Sequence, residues 1–265
     1  MSSNIQMDNT TQKKQNEWYE QWSLVQDDSL FLFQDWIYPF TLKDFTDNEV
    51  LECGCGGGQH TSFIAPYAKK ITSVDLNAVN VAKKRNKSFQ NIIFKDADIL
   101  SMDLNKQYDI VFSIGVIHHT DDPDLAVKNM IKHTKKGGKV IIWVYSKEGN
   151  FIVRAFIEPF RKIFLTKVSR NNLLILSRML TLLMYLPIYS LYLLKLKFLP
   201  YYEYFQNFRK LSFYRNVLNV FDKLNAPQVE FIDRERAERW TNGDFSNIHI
   251  SHYKGVSYRI SFTKN

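Results

Sequence analysis

A chain of 265 residues, 45% hydrophobic and 15% aromatic, can bury one sizeable core plus an insertion or small second lobe, and is too apolar for a disordered polymer. Its two cysteines, Cys53 and Cys55, lie two apart and cannot staple distant elements, which excludes a disulfide framework and favours a reducing cytoplasm. The net charge of +8 is concentrated in residues 151–215, where eleven Lys or Arg face only Glu158 and Glu203; that local field suits a phosphate-bearing substrate, nucleic acid, an anionic membrane surface or a merely solvated basic face.

The opening MSSNIQMDNTTQKKQ is polar, lacks the apolar stretch of a secretory signal and reads as a frayed tail. From Glu49 onward, β-rich runs alternate with helix-compatible stretches. Strands are expected at Glu49–Cys53, Ile71–Asp75, Ile92–Lys95, Tyr108–Ile114 and Lys139–Tyr145. Helices fit Asn77–Asn86 and Pro123–Thr134, the second capped by Asp121-Asp122 and stopped by Lys135-Lys136-Gly137-Gly138. Such alternation implies right-handed crossovers and an α/β fold with a doubly wound, Rossmann-like, mostly parallel sheet.

Residues 151–215 break the rhythm. Met179–Leu194 carries no charge, but its sixteen residues fall short of the about 20 that a spanning helix needs. The expectation is a helical insertion after the fifth strand, covering the sheet's carboxyl edge, with interfacial membrane contact left open. A helix at Arg234–Trp240 then precedes Asn247–Tyr253 and Gly255–Thr263, an antiparallel closing pair that brings the sheet to seven strands.

The stretch Glu52-Cys53-Gly54-Cys55-Gly56-Gly57-Gly58 sits between the first strand and its helix, where an open α/β sheet binds nucleotides. A phosphate-cradling P-loop would need Gly-Lys-Ser/Thr, and Gln59-His60-Thr61 does not supply it. A dinucleotide fingerprint would need Gly or Ala at Gln59 or Thr61, so an oxidoreductase is disfavoured. Asp75 ends the second strand, where a carboxylate either accepts ribose hydroxyls or caps the next helix. Ala97-Asp98-Ile99-Leu100 follows the third strand, with Asp96 as a rival to Asp98. Tyr108–Ser113 then leads into Gly115-Val116-Ile117-His118-His119-Thr120-Asp121-Asp122-Pro123.

With these motifs in order, the chain resembles the class I S-adenosylmethionine-dependent methyltransferases over about Trp18–Tyr145, and more loosely over Phe221–Asn265. The resemblance implies S-adenosyl-L-methionine as cofactor and S-adenosyl-L-homocysteine as product. It implies that Glu52, Gly54, Cys55, Gly56, Asp75, Asp98 and the Ser113-Ile114-Gly115 backbone bind the cofactor. Leu76 would pack on adenine, Ile99 would present its backbone N–H, and the Trp18–Trp22 region, Trp22 included, would close over the site. Four units follow: a tail with closing helices at 1–48, a cofactor-binding core at 49–150, a substrate cap at 151–215 and the rest of the core at 216–265. Cys53 and Cys55 read as small packing residues, and no metal is expected, since no companion His/Cys pair has zinc spacing.

For a hydroxyl acceptor the natural base is histidine, so His119 is placed towards the acceptor and His118 beside it, with Tyr145, His249 and His252 as alternatives. The basic, aromatic insertion suits a small-molecule or carbohydrate acceptor that is anionic or membrane-linked. The chain also resembles methyltransferases that decorate bacterial surface polysaccharides, methylating a capsular sugar or its phosphoramidate group. The reading is therefore a cytoplasmic O-methyltransferase, peripheral to the inner membrane face where it touches lipid. Nucleic-acid methylation is disfavoured because no N/D-P-P-Y/F tetrapeptide follows the fourth strand. A non-catalytic cofactor-binding scaffold is the third reading.

Overall fold

The computed structural model describes residues 30–165, 167–226 and 228–265. Seven strands form one sheet: β1 Glu49–Cys53, β2 Lys70–Asp75, β3 Ile92–Asp96, β4 Tyr108–Ile114, β5 Thr134–Tyr145, β6 Phe245–Tyr253 and β7 Ser257–Lys264. Their order is β3-β2-β1-β4-β5-β7-β6; β1 to β5 pair in parallel, and β7 lies antiparallel between β5 and β6. The central strands are buried on both faces, which is why they read as continuous apolar runs rather than alternating ones. Val50, Ile110, Phe112 and Ile141 pack on one side with Phe33 and Ile37 of α1 (Leu30–Ile37) and Ile64 of α2 (Gln59–Ile64). Leu51, Val111, Val140 and Ile142 pack on the other with α4 (Pro123–Lys132) and α8 (Arg234–Trp240) through Ala126, Val127 and Ala237. Helix α3 (Val79–Arg85) follows β2.

The doubly wound, mostly parallel seven-stranded sheet expected from the sequence is the fold found, with the closing antiparallel pair in place. One stretch differs. Lys135-Lys136-Gly137-Gly138 does not separate α4 from a strand starting at Lys139: β5 already begins at Thr134, opposite Tyr108. Gly137 takes a left-handed φ of 74°, and the register then shifts so that Lys139 faces Ile110. The pattern of basic residues and glycine was read as a helix stop, but here it forms an irregular strand start.

The cap comprises a helical segment over 151–165, α5 (Arg170–Ile188), α6 (Tyr202–Phe208) and α7 (Phe213–Asn225). Leu165, Leu173, Ile188, Phe208, Val220, Phe221 and Leu224 give it a core of its own. The boundary drawn at 215 therefore falls inside α7, whose apolar face belongs to the cap; the insertion runs to the end of that helix.

Candidate active site

The loop after β1 is held by backbone geometry. Gly54, Gly56 and Gly58 have φ of 83°, 50° and 74°, a region that favours glycine. A Cβ on Gly54 would lie 2.5 Å from Cγ1 of Val116, so the loop is bare because a neighbour already fills the space. The Gly54 and Cys55 N–H groups both donate to the Val74 carbonyl, at 2.9 and 3.0 Å, which folds the loop back over β2.

Asp75 ends β2 below this loop. Its Oδ2 accepts from the Gly56 N–H at 2.8 Å, while Oδ1 accepts from Asn77 and Ala78 at 3.2 and 3.1 Å. The carboxylate thus clamps the loop and holds the turn that leads into α3, with three of its roughly four acceptor positions in use. Leu76 beside it is 48% exposed, an apolar side chain available to a flat ring. Asp98 is half-buried and accepts from the Leu100 N–H at 2.9 Å. Ile99 is buried in the core, and its carbonyl accepts from Asn129 at 2.7 Å. Asp96, the rival, lies beside Asp75 in the β2–β3 register and is exposed.

One expected cofactor residue acts differently. Glu52 is sealed beneath the loop at 1% exposure, with its Oε2 accepting from the Thr61 hydroxyl and, at 2.9 Å, from Ser73. It braces α2 and β2 instead of facing a ligand; burial, against those two bonds and with help from Asp75, pushes its pKa up to about 7. Ser113 spends its hydroxyl on the Cys53 carbonyl at 2.8 Å, so only its backbone is left to contribute. Cys53 and Cys55 are both buried free thiols, held above the ordinary thiol range by burial, as packing residues should be. Trp22 and the Trp18–Trp22 region lie outside the described residues. Among the described residues no group of three or more His, Cys, Asp or Glu is placed to hold a metal ion.

A cleft enclosing about 1150 Å³ of space, open solvent at its mouth included, lies between this edge of the sheet and the cap. Ile114, Gly115, His119, Trp143 and Tyr145 line it from the core, Leu32 and Trp36 from α1, and Tyr204, Asn207, Arg215, Asp222 and Lys223 from the cap. The adjacent histidines separate here. The His119 ring faces the cleft, whereas His118 is fully buried against Tyr145, ring centroids 4.4 Å apart, and neither of its nitrogens has a hydrogen-bond partner among the described residues. Burial, and then His119, hold His118 well below the ordinary imidazole range, so it is a neutral core ring and not a second acceptor-facing group. Nδ1 of His119 lies 2.6 Å from the Gln228 carbonyl oxygen. A carbonyl only accepts, so that proton sits on Nδ1 and Nε2 is the basic nitrogen. Burial lowers the His119 pKa, partly offset by Asp222 and by the Gln228 bond.

Residues 51–142 match the family model described as a methyltransferase domain. A ubiquinone biosynthesis O-methyltransferase of Rickettsia conorii is 29% identical over 103 residues, 38% of this chain and 36% of the relative. Nodulation protein S of Azorhizobium caulinodans is 24% identical over 145 residues, 53% of this chain and 69% of the relative. The chain spans only 36% to 44% of the length of the Rickettsia O-methyltransferases it matches. The solved N-methyltransferase NodS of Bradyrhizobium japonicum WM9, in complex with S-adenosyl-L-homocysteine, superimposes with TM-score 0.50 at 15% identity, covering 97% of this chain and 99% of that one. Magnesium protoporphyrin IX methyltransferase of Synechocystis PCC 6803, with the same product bound, gives 0.50 at 12% identity, covering 98% and 89%. At such identities the likeness is one of fold.

Residues 51–142 are a class I S-adenosylmethionine-dependent methyltransferase domain.

The residues of this methyltransferase domain fit that cofactor. Asp75 keeps acceptor capacity at the edge of the glycine loop, and Leu76 is exposed beside it. The Gly115 N–H is engaged by the Trp143 carbonyl at 3.0 Å. Sequence reasoning missed the cap's contribution. Lys223 is half-buried with its Nζ 3.0 Å from the Tyr204 hydroxyl, and the Tyr145 hydroxyl donates to Asp222 at 3.3 Å. Burial opposes the Lys223 charge, but Tyr204, Tyr145 and Asp222 outweigh it and hold the ammonium above its ordinary value. Arg161, only 6% exposed, lies at the far end of an adjoining pocket of about 520 Å³ that shares Tyr145, Tyr204, Asp222 and Lys223. The clue in the sequence was the excess of charge over 151–215, but it stops short of Lys223 and gave no indication that Arg161 points inward.

Proposed function

We propose that this protein O-methylates a small anionic acceptor, a sugar, a nucleotide-sugar or a glycan-linked group, held between the sheet edge and the cap, with His119 as general base. S-adenosylmethionine supplies an electrophilic methyl on a sulfonium, so the chain's own task is to align, dehydrate and deprotonate the acceptor. Trp36, Trp143, Tyr145 and Tyr204 wall the cleft and exclude water. Nε2 of His119 takes the acceptor's hydroxyl proton as the new O–C bond forms, Gln228 keeps the ring in the required tautomer, and the Asp222 carboxylate stabilises the resulting imidazolium. Lys223 and Arg161 supply positive charge to an anionic substituent. The reading is carried by the His119–Gln228 bond at the cleft wall. The word O-methyltransferase in the Rickettsia relative's name agrees with it, and the name of NodS makes an amine acceptor the rival.

The test is S-adenosylhomocysteine formation from S-adenosylmethionine across a panel of neutral and phosphorylated sugars, carboxylated phenols and matching amines, with wild type and His119→Asn. Turnover of anionic hydroxyl acceptors, lost in the variant while S-adenosylhomocysteine still binds, supports the reading. Turnover confined to amines and insensitive to His119 removes it.

A further inference from the structure

Two cap elements are amphipathic the wrong way round for water. Helix α5 buries Ser177 and Thr181, whose hydroxyls turn back onto the Leu173 and Ser177 carbonyls at 2.7 Å, while Ile175, Met179, Leu182, Leu183 and Leu186 form an exposed stripe. Leu182 and Leu186 are 63% and 71% exposed. The segment 151–165 does the same: Glu158 and Arg161 turn inward to line the smaller pocket, and Phe156, Phe160, Ile163 and Phe164 face out. A helix in water buries its apolar stripe and shows its polar one. The α5 stripe recurs at four and seven or eight residues, so it is continuous along one helix face, and the exposed rings of the largely π-helical 151–165 segment add to the same apolar surface. Large contiguous apolar surface of this kind marks an interaction site.

Charge identifies the partner. Residues 151–200 carry eight Lys or Arg and one acid, Glu158, which is engaged by Arg161 and Lys162 at 3.4 and 3.6 Å. Lys162, Lys167, Arg178, Lys195 and Lys197 are exposed on the same elements. Two such faces would repel each other, which disfavours a second copy of the chain. An anionic lipid surface offers both things the face lacks, hydrocarbon for the stripes and phosphates for the rim.

We propose that the outer face of the cap, the 151–165 segment and α5 with the turn that follows, docks in the plane of an anionic phospholipid bilayer. Arg170–Leu194 is long and apolar enough to cross a membrane by length and composition alone. It lies flat because its inner side, through Leu173 and Ile188, is packed into the cap core with Phe221 and Leu224 of α7. The same segment that puts phenylalanines outward puts Glu158 and Arg161 on the pocket wall, so docking would set the acceptor pocket at the lipid surface. The proposal stands independently of the reaction assigned to the cleft.

The test is flotation of the full chain with phosphatidylcholine vesicles, with and without phosphatidylglycerol, for wild type, the doublet Phe160→Asp/Phe164→Asp and the doublet Leu182→Asp/Leu186→Asp. Wild type should float with the anionic vesicles, by about tenfold more than with neutral ones, and alkaline carbonate should release it. Each doublet should lose about tenfold in partition while binding S-adenosylhomocysteine as wild type does. Failure of wild type to float with either vesicle overturns the proposal. So does resistance to carbonate, which would mean a spanning helix, and so does a wild-type dimer in light scattering that the doublets split without any change in flotation.

Discussion

Nδ1 of His119 and the carbonyl oxygen of Gln228 meet at 2.6 Å, so the histidine's tautomer is set by the backbone of a different part of the chain, more than a hundred residues away. Only the neutral ring can accept the acceptor's proton, and burial lowers its pKa below the ordinary 6.5. The rate should therefore rise with pH through an inflection below that value and then level off. A kcat/KM profile against pH checks this. His119→Asn should abolish the acid limb and lower kcat by about a hundredfold or more, with S-adenosylhomocysteine affinity unchanged. An inflection at or above the ordinary imidazole value would contradict the burial of this ring.

The glycine loop separates strain from collision. Gly54 and Gly137 both have φ near 80°, at 83° and 74°, but an added Cβ meets Val116 at 2.5 Å at the first and nothing within 4 Å at the second. Gly137→Ala should cost about 1 kcal/mol of stability, the left-handed penalty alone. Gly54→Ala should cost more and should also weaken S-adenosylhomocysteine binding by roughly tenfold or more, since the loop itself must move. Asp75→Ala frees the Gly56 N–H and should act in the same direction. Calorimetric titration beside urea unfolding measures both quantities; equal effects of the two alanines would refute a loop shaped by Val116.

Glu52 offers a stability signature with a defined sign. Its folded pKa of about 7 lies above the ordinary 4.5, so between those values the folded state holds more protons than the unfolded one. Stability contributed by this group is complete below pH 4.5, is lost as pH rises towards 7, and is level above that, a change of about 3 kcal/mol. Glu52→Gln should remove that slope, seen as the difference between wild-type and variant unfolding free energies across the interval. A difference that does not vary with pH would mean that Glu52 ionises freely where it lies.

The core was readable because its signals are local and repetitive. Doubly buried strands such as Tyr108–Ile114 appear as apolar runs, and a run of turn positions with left-handed φ favours glycine. The tight glycine loop and the strand-end position of Asp75 followed from the same local rules. Glu52 did not, because whether a strand-end carboxylate faces a ligand or the Thr61 and Ser73 hydroxyls depends on neighbours brought by α2 and β2. That His119 lies towards the cleft agrees with the reading of the sequence, but that His118 is sealed in the core is decided by the fold. Lys223, Asp222 and Tyr204 were lost among the cap's many aromatics and cations, since α7 and α6 meet the sheet edge only through tertiary packing.

Lys223 gives the sharpest test of acceptor charge. The ammonium is half-buried and held above its ordinary pKa by Tyr204, Tyr145 and Asp222, so it stays charged throughout the working range. Lys223→Met keeps the length and removes the charge. If the cation receives an anionic substituent, an anionic acceptor should lose about 2 kcal/mol, roughly thirtyfold in kcat/KM, while a neutral analogue changes little. If the ammonium serves only to balance Asp222, both acceptors should fall together, because the unpaired carboxylate would disturb the His119 wall whatever sits in the cleft. Parallel kinetics on a phosphorylated sugar and its unphosphorylated parent decide between these, and equal losses would exclude Lys223 as the acceptor's anion partner.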